Sequence, residues 1–223
     1  AQLVLLQRIE LANPFIKRLR KIFGRYLFSK VISKYFINVR EISDKYFKLM
    51  KEEFLIILPF LRQNQKILSI GSGLGGLEIE IMKKFVSSKI TFIEKNYTSD
   101  KIKYGWDYEN KEGYNDLSLL EKLVQMNKIS KDQYTLIDYD EQKFPNVKFD
   151  LVISLYSLDY HYDINIYLDY LKKNTNENSF IIFDTIRPNY FEGIFENVKV
   201  IKENNITVHK SKRLACRGFK RND

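Results

Sequence analysis

Apolar side chains recur at spacings of three and four over residues 1–63, and beyond that point they gather into short runs. Phe15, Leu19, Ile22, Phe23 and Tyr26 mark one helical stripe. Tyr46, Phe47, Met50, Phe54 and Ile57 mark a second, with Ser43-Asp44 as its N-cap and Pro59 as its stop. Residues 1–63 therefore read as an N-terminal helical extension, whose expected duty is to cover the sheet or the mouth of a site. From Lys66 short apolar runs alternate with helix-period segments, which is the pattern of βα units and a parallel sheet. Strands are expected at 66–70, 89–94, 134–138, 149–155 and 179–185, with helices at 76–85, 116–126 and 165–172. Two late strands, 198–202 and 206–212, are joined by turn-prone Glu203-Asn204-Asn205. The expectation is an α/β fold: a mostly parallel seven-stranded sheet with helices on both faces and a C-terminal antiparallel hairpin, occupying residues 64–223.

Composition agrees with one folded domain plus the extension. A 223-residue chain that is 44% hydrophobic and 14% aromatic has the apolar side chains that disordered chains lack. The single cysteine, Cys216, can form neither an intramolecular disulfide nor a cysteine-based zinc site. The longest apolar stretches, 54–61 and 3–6, fall short of the roughly 20 residues that cross a bilayer. A cytoplasmic protein is expected. The chain begins at Ala1 rather than methionine, which leaves open a preceding segment, a targeting sequence included.

The net charge of +9 favours anionic company, although lysines alternate with acids along most of the chain as on a solvated surface. The exception is Lys17-Arg18-Leu19-Arg20-Lys21, a basic run suited to peripheral contact with an anionic inner-membrane surface or to a plain solvated helix face. A homodimer is a further expected use of the chain's surface.

The strongest chemical signal lies after the first expected strand. Residues 66–70 run into Gly71-Ser72-Gly73-Leu74-Gly75-Gly76 and then a helix, so the backbone can turn tightly and approach a ligand beside a helix N-terminus. Eighteen residues after Gly76, Glu94 ends an apolar strand, where an acid accepts hydrogen bonds from ribose hydroxyls. Asp138 ends Tyr134-Thr135-Leu136-Ile137-Asp138 and is placed to accept from an adenine amino group, with Asp140 as the competing choice. Phe149-Asp150-Leu151-Val152-Ile153-Ser154 carries the central strand to the same edge. The spacing Gly71-x-Gly73-x-x-Gly76 also satisfies the dinucleotide fingerprint, which keeps an NAD(P)-dependent oxidoreductase as an alternative. Such enzymes usually open with the motif and follow it with a substrate domain, whereas here a helical segment precedes it.

In this order the glycine loop, the two acids and the Phe-Asp-Leu-Val strand resemble the class I S-adenosylmethionine-dependent methyltransferases, built on a Rossmann-like sheet. The resemblance implies S-adenosylmethionine as cofactor, with S-adenosylhomocysteine as product. It further implies Gly71, Gly73 and Gly75 beside the methionine moiety, Glu94 on the ribose, and Asp138 with Tyr139 near the adenine. Ser72, Lys95 and Ser154 complete the expected cofactor set.

Glu94 and Asp138 stand 44 positions apart, more than one helical connection needs, so residues 97–118 are expected to form a substrate-side insertion. Tyr104, Trp106, Tyr114 and Asn115 there, with Tyr156 and Tyr162 after the central strand, are the types that stack on sugar rings and bond hydroxyls. The same aromatics would equally pack a lid onto the core. Methyl transfer to a hydroxyl needs a base, and His161 is the candidate, oriented by Asp159 or Asp163. The other histidine, His209, falls in a late strand. Two acids without a further spaced ligand make no metal set, so no metal is expected.

The insertion and the stretch from Ser154 to Leu168 look like a bacterial group of sugar O-methyltransferases associated with surface polysaccharides. Where that group often carries an aromatic-glycine pair before the His-Tyr, this chain has Leu158-Asp159-Tyr160. A sugar or glycan hydroxyl is thus the leading acceptor. A small-molecule or nucleic-acid methyltransferase is the alternative, the latter lowered because Ser154-Leu155-Tyr156-Ser157 lacks the Asn/Asp-Pro-Pro-Tyr/Phe grip on a flipped base. A module that binds a partner without catalysis is disfavoured by the intact glycine loop and Glu94.

Overall fold

The computed structural model describes residues 1–24, 27–28, 33–96, 115–160, 162–204 and 210–220. The extension comprises α1 (Gln2–Gln7), α2 (Pro14–Phe23), the short α3 (Ser33–Phe36) and the long α4 (Val39–Ile57). The body then runs β1 (Lys66–Ile70), α5 (Gly76–Lys84), β2 (Lys89–Glu94), α6 (Leu117–Met126), β3 (Tyr134–Asp138) and β4 (Phe149–Ser154). It finishes with α7 (Leu168–Asn174), β5 (Thr175–Thr185), β6 (Phe195–Asn204) and β7 (Ser211–Phe219).

The seven strands form one sheet in the order β3-β2-β1-β4-β5-β7-β6. β1 to β5 are mutually parallel, and β7 is antiparallel to both β5 and β6. Central strands are apolar on consecutive residues because both faces of a parallel sheet are covered. Ile67, Leu151 and Ile153 pack with Tyr46, Met50, Phe54 and Ile57 of α4, Ile79 and Met82 of α5, and Leu120 and Val124 of α6. Leu68, Ile70 and Val152 point the other way, toward Ile164, Leu171, Phe183 and Phe191.

Several boundaries differ from the expectation. α4 is capped by Asn38, whose side chain accepts from the Glu41 amide, so Ser43 and Asp44 lie inside the helix. Asn caps as well as Ser or Asp, and Glu41 in the first turn complements the helix dipole. α2 starts at an Asn13 cap with Pro14 in its first turn, and of its apolar stripe Leu19 packs against the core. Ile16 is the buried residue, whereas Phe15, Ile22 and Phe23 are 57%, 74% and 45% exposed. Tyr26 lies outside the described residues. β4 stops at Ser154, and β5 starts at Thr175, earlier than 179. The helix expected at 165–172 is a 3-10 turn, Ile164–Ile166, followed by α7, because Asp163 caps the turn through the Asn165 amide.

The final strand is also displaced. β7 begins at Ser211 and runs to Phe219, overlapping the expected 206–212 only at its start, while 205–209 lie outside the described residues. Arg213 precedes the apolar run Leu214-Ala215-Cys216, yet its side chain is wholly buried between two carboxylates. A charge neutralised in this way sits in an interior strand without leaving a hydrophobic signature.

Candidate active site

β1 is flanked by β2 on one side and β4 on the other, so the connections leaving β1 and β4 diverge and open a crevice at their carboxyl ends. Ligands of open α/β sheets bind in such a crevice. The glycine loop lines one wall. Gly71, Gly73 and Gly75 take φ values of 69°, 64° and 68°, in the left-handed region that side chains disfavour. A Cβ on Gly71 would lie 2.0 Å from Ser157 Oγ, and one on Gly73 would lie 2.7 Å from Gln7 Oε1. The loop is thus pressed between the segment after β4 and the helix α1, and Tyr46 of α4 accepts a hydrogen bond from the Gly76 amide at 3.1 Å.

Glu94 ends β2 directly beside Asp138 at the end of β3. Its Oε1 accepts from the Gly73 amide at 2.6 Å and from Ser72 Oγ at 2.9 Å. Burial pushes its pKa up to about 8, against the pull of those hydrogen bonds and of Asn115. Asn115 donates through Nδ2 to the Gly73 carbonyl at 2.7 Å, while its buried Oδ1 has no hydrogen-bond partner among the described residues. Asn115, expected on the substrate side, therefore stands on the glycine loop. Asp138 accepts from the Asp140 amide, and Tyr139 donates its own amide to the Glu94 carbonyl. Lys95 Nζ lies 5.1 Å from the centre of the Tyr139 ring and 5.9 Å from that of Tyr162.

The opposite wall follows β4. Ser154 donates to the Ile70 carbonyl at 2.8 Å and accepts from the Leu158 amide at 2.9 Å, so its hydroxyl clamps the ends of β1 and the loop together. Tyr156 has φ 56°, and its amide donates to Asp184. Its hydroxyl donates to Asn204 Oδ1, and burial, reinforced by Asp184, raises its pKa to about 12. Its ring carries the Arg8 guanidinium at 4.4 Å and the Arg213 guanidinium at 5.5 Å, with Tyr160 packed edge-on.

Asp159 is the acid expected, with Asp163 as the alternative, to orient His161. Its carboxylate is fully buried, accepts from Thr185 Oγ1 at 2.5 Å, and pairs with Arg187 at 2.5 Å. Arg187 also pairs with Asp163 at 2.9 Å. Both acids are therefore engaged with a cation, which makes them bracing groups for the loop after β4. His161, Tyr104, Trp106 and Tyr114 lie outside the described residues, as does His209. Among the described residues no three acids, histidines or cysteines gather to hold a metal ion.

The sequence reading missed Gln7, Arg8, Tyr46 and the buried Glu53–Arg213–Asp184 group. Glu53 of α4 pairs with Arg213 of β7 and with Lys202 of β6, and Arg213 pairs with Asp184 of β5. Burial opposes ionisation of Glu53, but Arg213 and Lys202 hold its carboxyl below the usual range. No local motif announces these residues, since each partner lies in a distant element.

The strand order, the antiparallel β7 and the glycine loop after β1 together define the fold of the class I S-adenosylmethionine-dependent methyltransferases. Among solved structures, a candidate O-methyltransferase of Nostoc punctiforme superposes with a TM-score of 0.52 at 12% identity, over 79% of this chain and 60% of that one. A precorrin-6y C5,15-methyltransferase of Geobacter metallireducens gives 0.51 at 11% identity, over 77% and 87%. A candidate methyltransferase of Escherichia coli gives 0.51 at 14%, over 78% and 88%. The likeness is one of fold, and this chain spans about three fifths of the Nostoc protein. No protein-family model matches the sequence, and no curated protein matches it.

Proposed function

We propose that the protein is a methyltransferase that uses S-adenosylmethionine to O-methylate a sugar or glycan hydroxyl in the synthesis of a surface polysaccharide. The observation that carries the cofactor is the join between the glycine loop and Glu94: a buried acid at the end of β2 bonded to the Gly73 amide. The residues suit the group. Glycines with positive φ let the backbone approach it, Glu94 accepts from ribose hydroxyls, and Asn115 Oδ1 is a buried acceptor in want of a donor. Asp138, Tyr139 and Lys95 would flank the adenine. The bound cofactor supplies an electrophilic methyl group. The chain contributes a crevice that orients the acceptor, and His161, adjoining the loop after β4, would take the hydroxyl proton.

Isothermal titration with S-adenosylmethionine, S-adenosylhomocysteine and NADH, repeated with Glu94→Ala, tests this reading. Micromolar binding of both sulfur nucleosides, strongly weakened in the variant, is the expected result. Binding of NADH alone would replace it with an oxidoreductase.

We infer a second role for α2. Phe15, Ile22 and Phe23 are exposed on the same helix as the exposed Lys17, Arg18 and Lys21, a combination that suits the surface of an anionic bilayer. Among the described residues no helix is long and apolar enough to cross a membrane. Sedimentation with neutral and anionic vesicles tests the contact, and equal binding to both would remove it. Sedimentation velocity in the same buffer would reveal a homodimer.

A further inference from the structure

The crevice holds a cation that the fold itself leaves poorly compensated. Arg213 is matched by Glu53 and Asp184, and Arg187 by Asp159 and Asp163. Arg8 differs. Its side chain is only 18% exposed, its one ion pair is to the half-exposed Glu10 at 3.5 Å, and its guanidinium makes no hydrogen bond among the described residues. It lies flat over Tyr156 instead. The guanidinium presents five donors in a fixed planar fork, held against the Tyr156 ring.

The position of Arg8 gives that vacancy a meaning. Its neighbour Gln7 touches Gly73, Ser157 touches Gly71, and Tyr156 adjoins Ser157, so α1, the glycine loop and the segment after β4 close on one another around the switch point. Arg8 thus stands over Tyr156, on the segment after β4, one residue along from the Gln7 that meets the glycine loop.

We propose that Arg8 anchors an anionic group on the acceptor, a carboxylate or a phosphate, and that Tyr156 holds the guanidinium flat to receive it. The substrate class is therefore a hydroxyl compound that carries a negative charge, such as an acidic or phosphorylated sugar. The fork of donors suits the paired oxygens of either group. This inference rests on the methyltransferase reading, which it deepens by naming the acceptor's charge.

The test uses the intact chain, with and without saturating S-adenosylhomocysteine. Glucuronate, glucose 1-phosphate and neutral glucose are titrated into the wild type and into Arg8→Gln, Arg8→Lys and Lys122→Gln, the last an exposed control on α6. The charged sugars are expected to bind wild type at least about tenfold more tightly than glucose, and Arg8→Gln to erase that preference. Arg8→Lys should retain part of it, because charge survives without the planar fork, and Lys122→Gln should retain all of it. Unchanged affinity for S-adenosylhomocysteine and an unchanged melting temperature certify that Arg8→Gln is folded. Preference for glucuronate over glucose 1-phosphate, or the reverse, tells carboxylate from phosphate. The proposal is overturned if charged sugars bind no better than glucose, or bind Arg8→Gln as well as wild type. Failure of S-adenosylhomocysteine to bind wild type would instead remove the methyltransferase reading, and the titrations without it would still report on Arg8.

Discussion

The Gly73 amide donates to Glu94 Oε1 at 2.6 Å, which joins the loop after β1 to the end of β2 and favours the ionised form of a buried acid. Burial raises that acid to about 8 from an ordinary value of 4.5. A carboxyl group with a raised folded-state pKa favours folding most when protonated. Its contribution is therefore largest below the unfolded value and is lost as pH climbs through about 8. The cofactor-free protein should show a melting temperature that declines from about pH 5 to pH 8 and levels off above, and Glu94→Gln should flatten the upper part of the decline, buried Glu78, raised to about 7, accounting for some of the lower part.

In the proposed cofactor site, ribose hydroxyls would donate to ionised Glu94, so binding would release the proton. Affinity for S-adenosylhomocysteine should rise by up to about tenfold per pH unit from 6 to 8 and level off above. Titration calorimetry in buffers of different ionisation enthalpy would detect the released proton, and a flat profile in the wild type would contradict the burial argument.

Gly71→Ala places a methyl group 2.0 Å from Ser157 Oγ on a backbone with φ 69°. The steric and torsional costs together should destabilise the fold by about 2–4 kcal/mol, read by urea denaturation. Pairing it with Ser157→Gly should recover the steric part and leave the torsional part.

Arg213→Met would leave Glu53 and Asp184 as buried carboxylates without their shared cation. A loss of about 3–5 kcal/mol is expected from the denaturation midpoint. A loss under about 1 kcal/mol would mean that the pocket relaxes to admit water.

Asp159→Asn separates bracing from catalysis. It should lower stability by about 2–4 kcal/mol through the Arg187 pair while affinity for S-adenosylhomocysteine stays within about twofold. An intact melting temperature with lost turnover would return Asp159 to the reaction.

The parts of the fold legible in the sequence were those written in local pattern. β1, β2 and β3 fall where their apolar runs fall, because each is largely buried and short enough to be bounded by polar turns. The glycine loop and Glu94 were equally legible, since backbone turning and strand ends leave fixed spacings. What escaped was encoded in distant pairs. Nothing around Arg213 tells that Glu53 will neutralise it, so β7 was drawn too early. Nothing around Asp159 tells that it will pair with Arg187. The spacing of Ser154 does not tell that its hydroxyl will bond the Ile70 carbonyl. The periodicity of the stripe on α2 is real, but it does not tell that Phe15, Ile22 and Phe23 will be exposed while Leu19 packs against the core.

The contact between Glu53 and Arg213 spans 160 positions and ties the helical extension to the last strand of the sheet. Two segments that an evolutionary view would treat as exchangeable modules are therefore bound to a common history. A descendant that loses the acid at 53 leaves Arg213 with one carboxylate, Asp184, in place of two, and one that loses the cation at 213 leaves Asp184 buried without its ion pair while Glu53 keeps Lys202. Drift at these positions should therefore come in matched steps, and an unrelated extension would have to bring an acid of its own to the sheet's far edge.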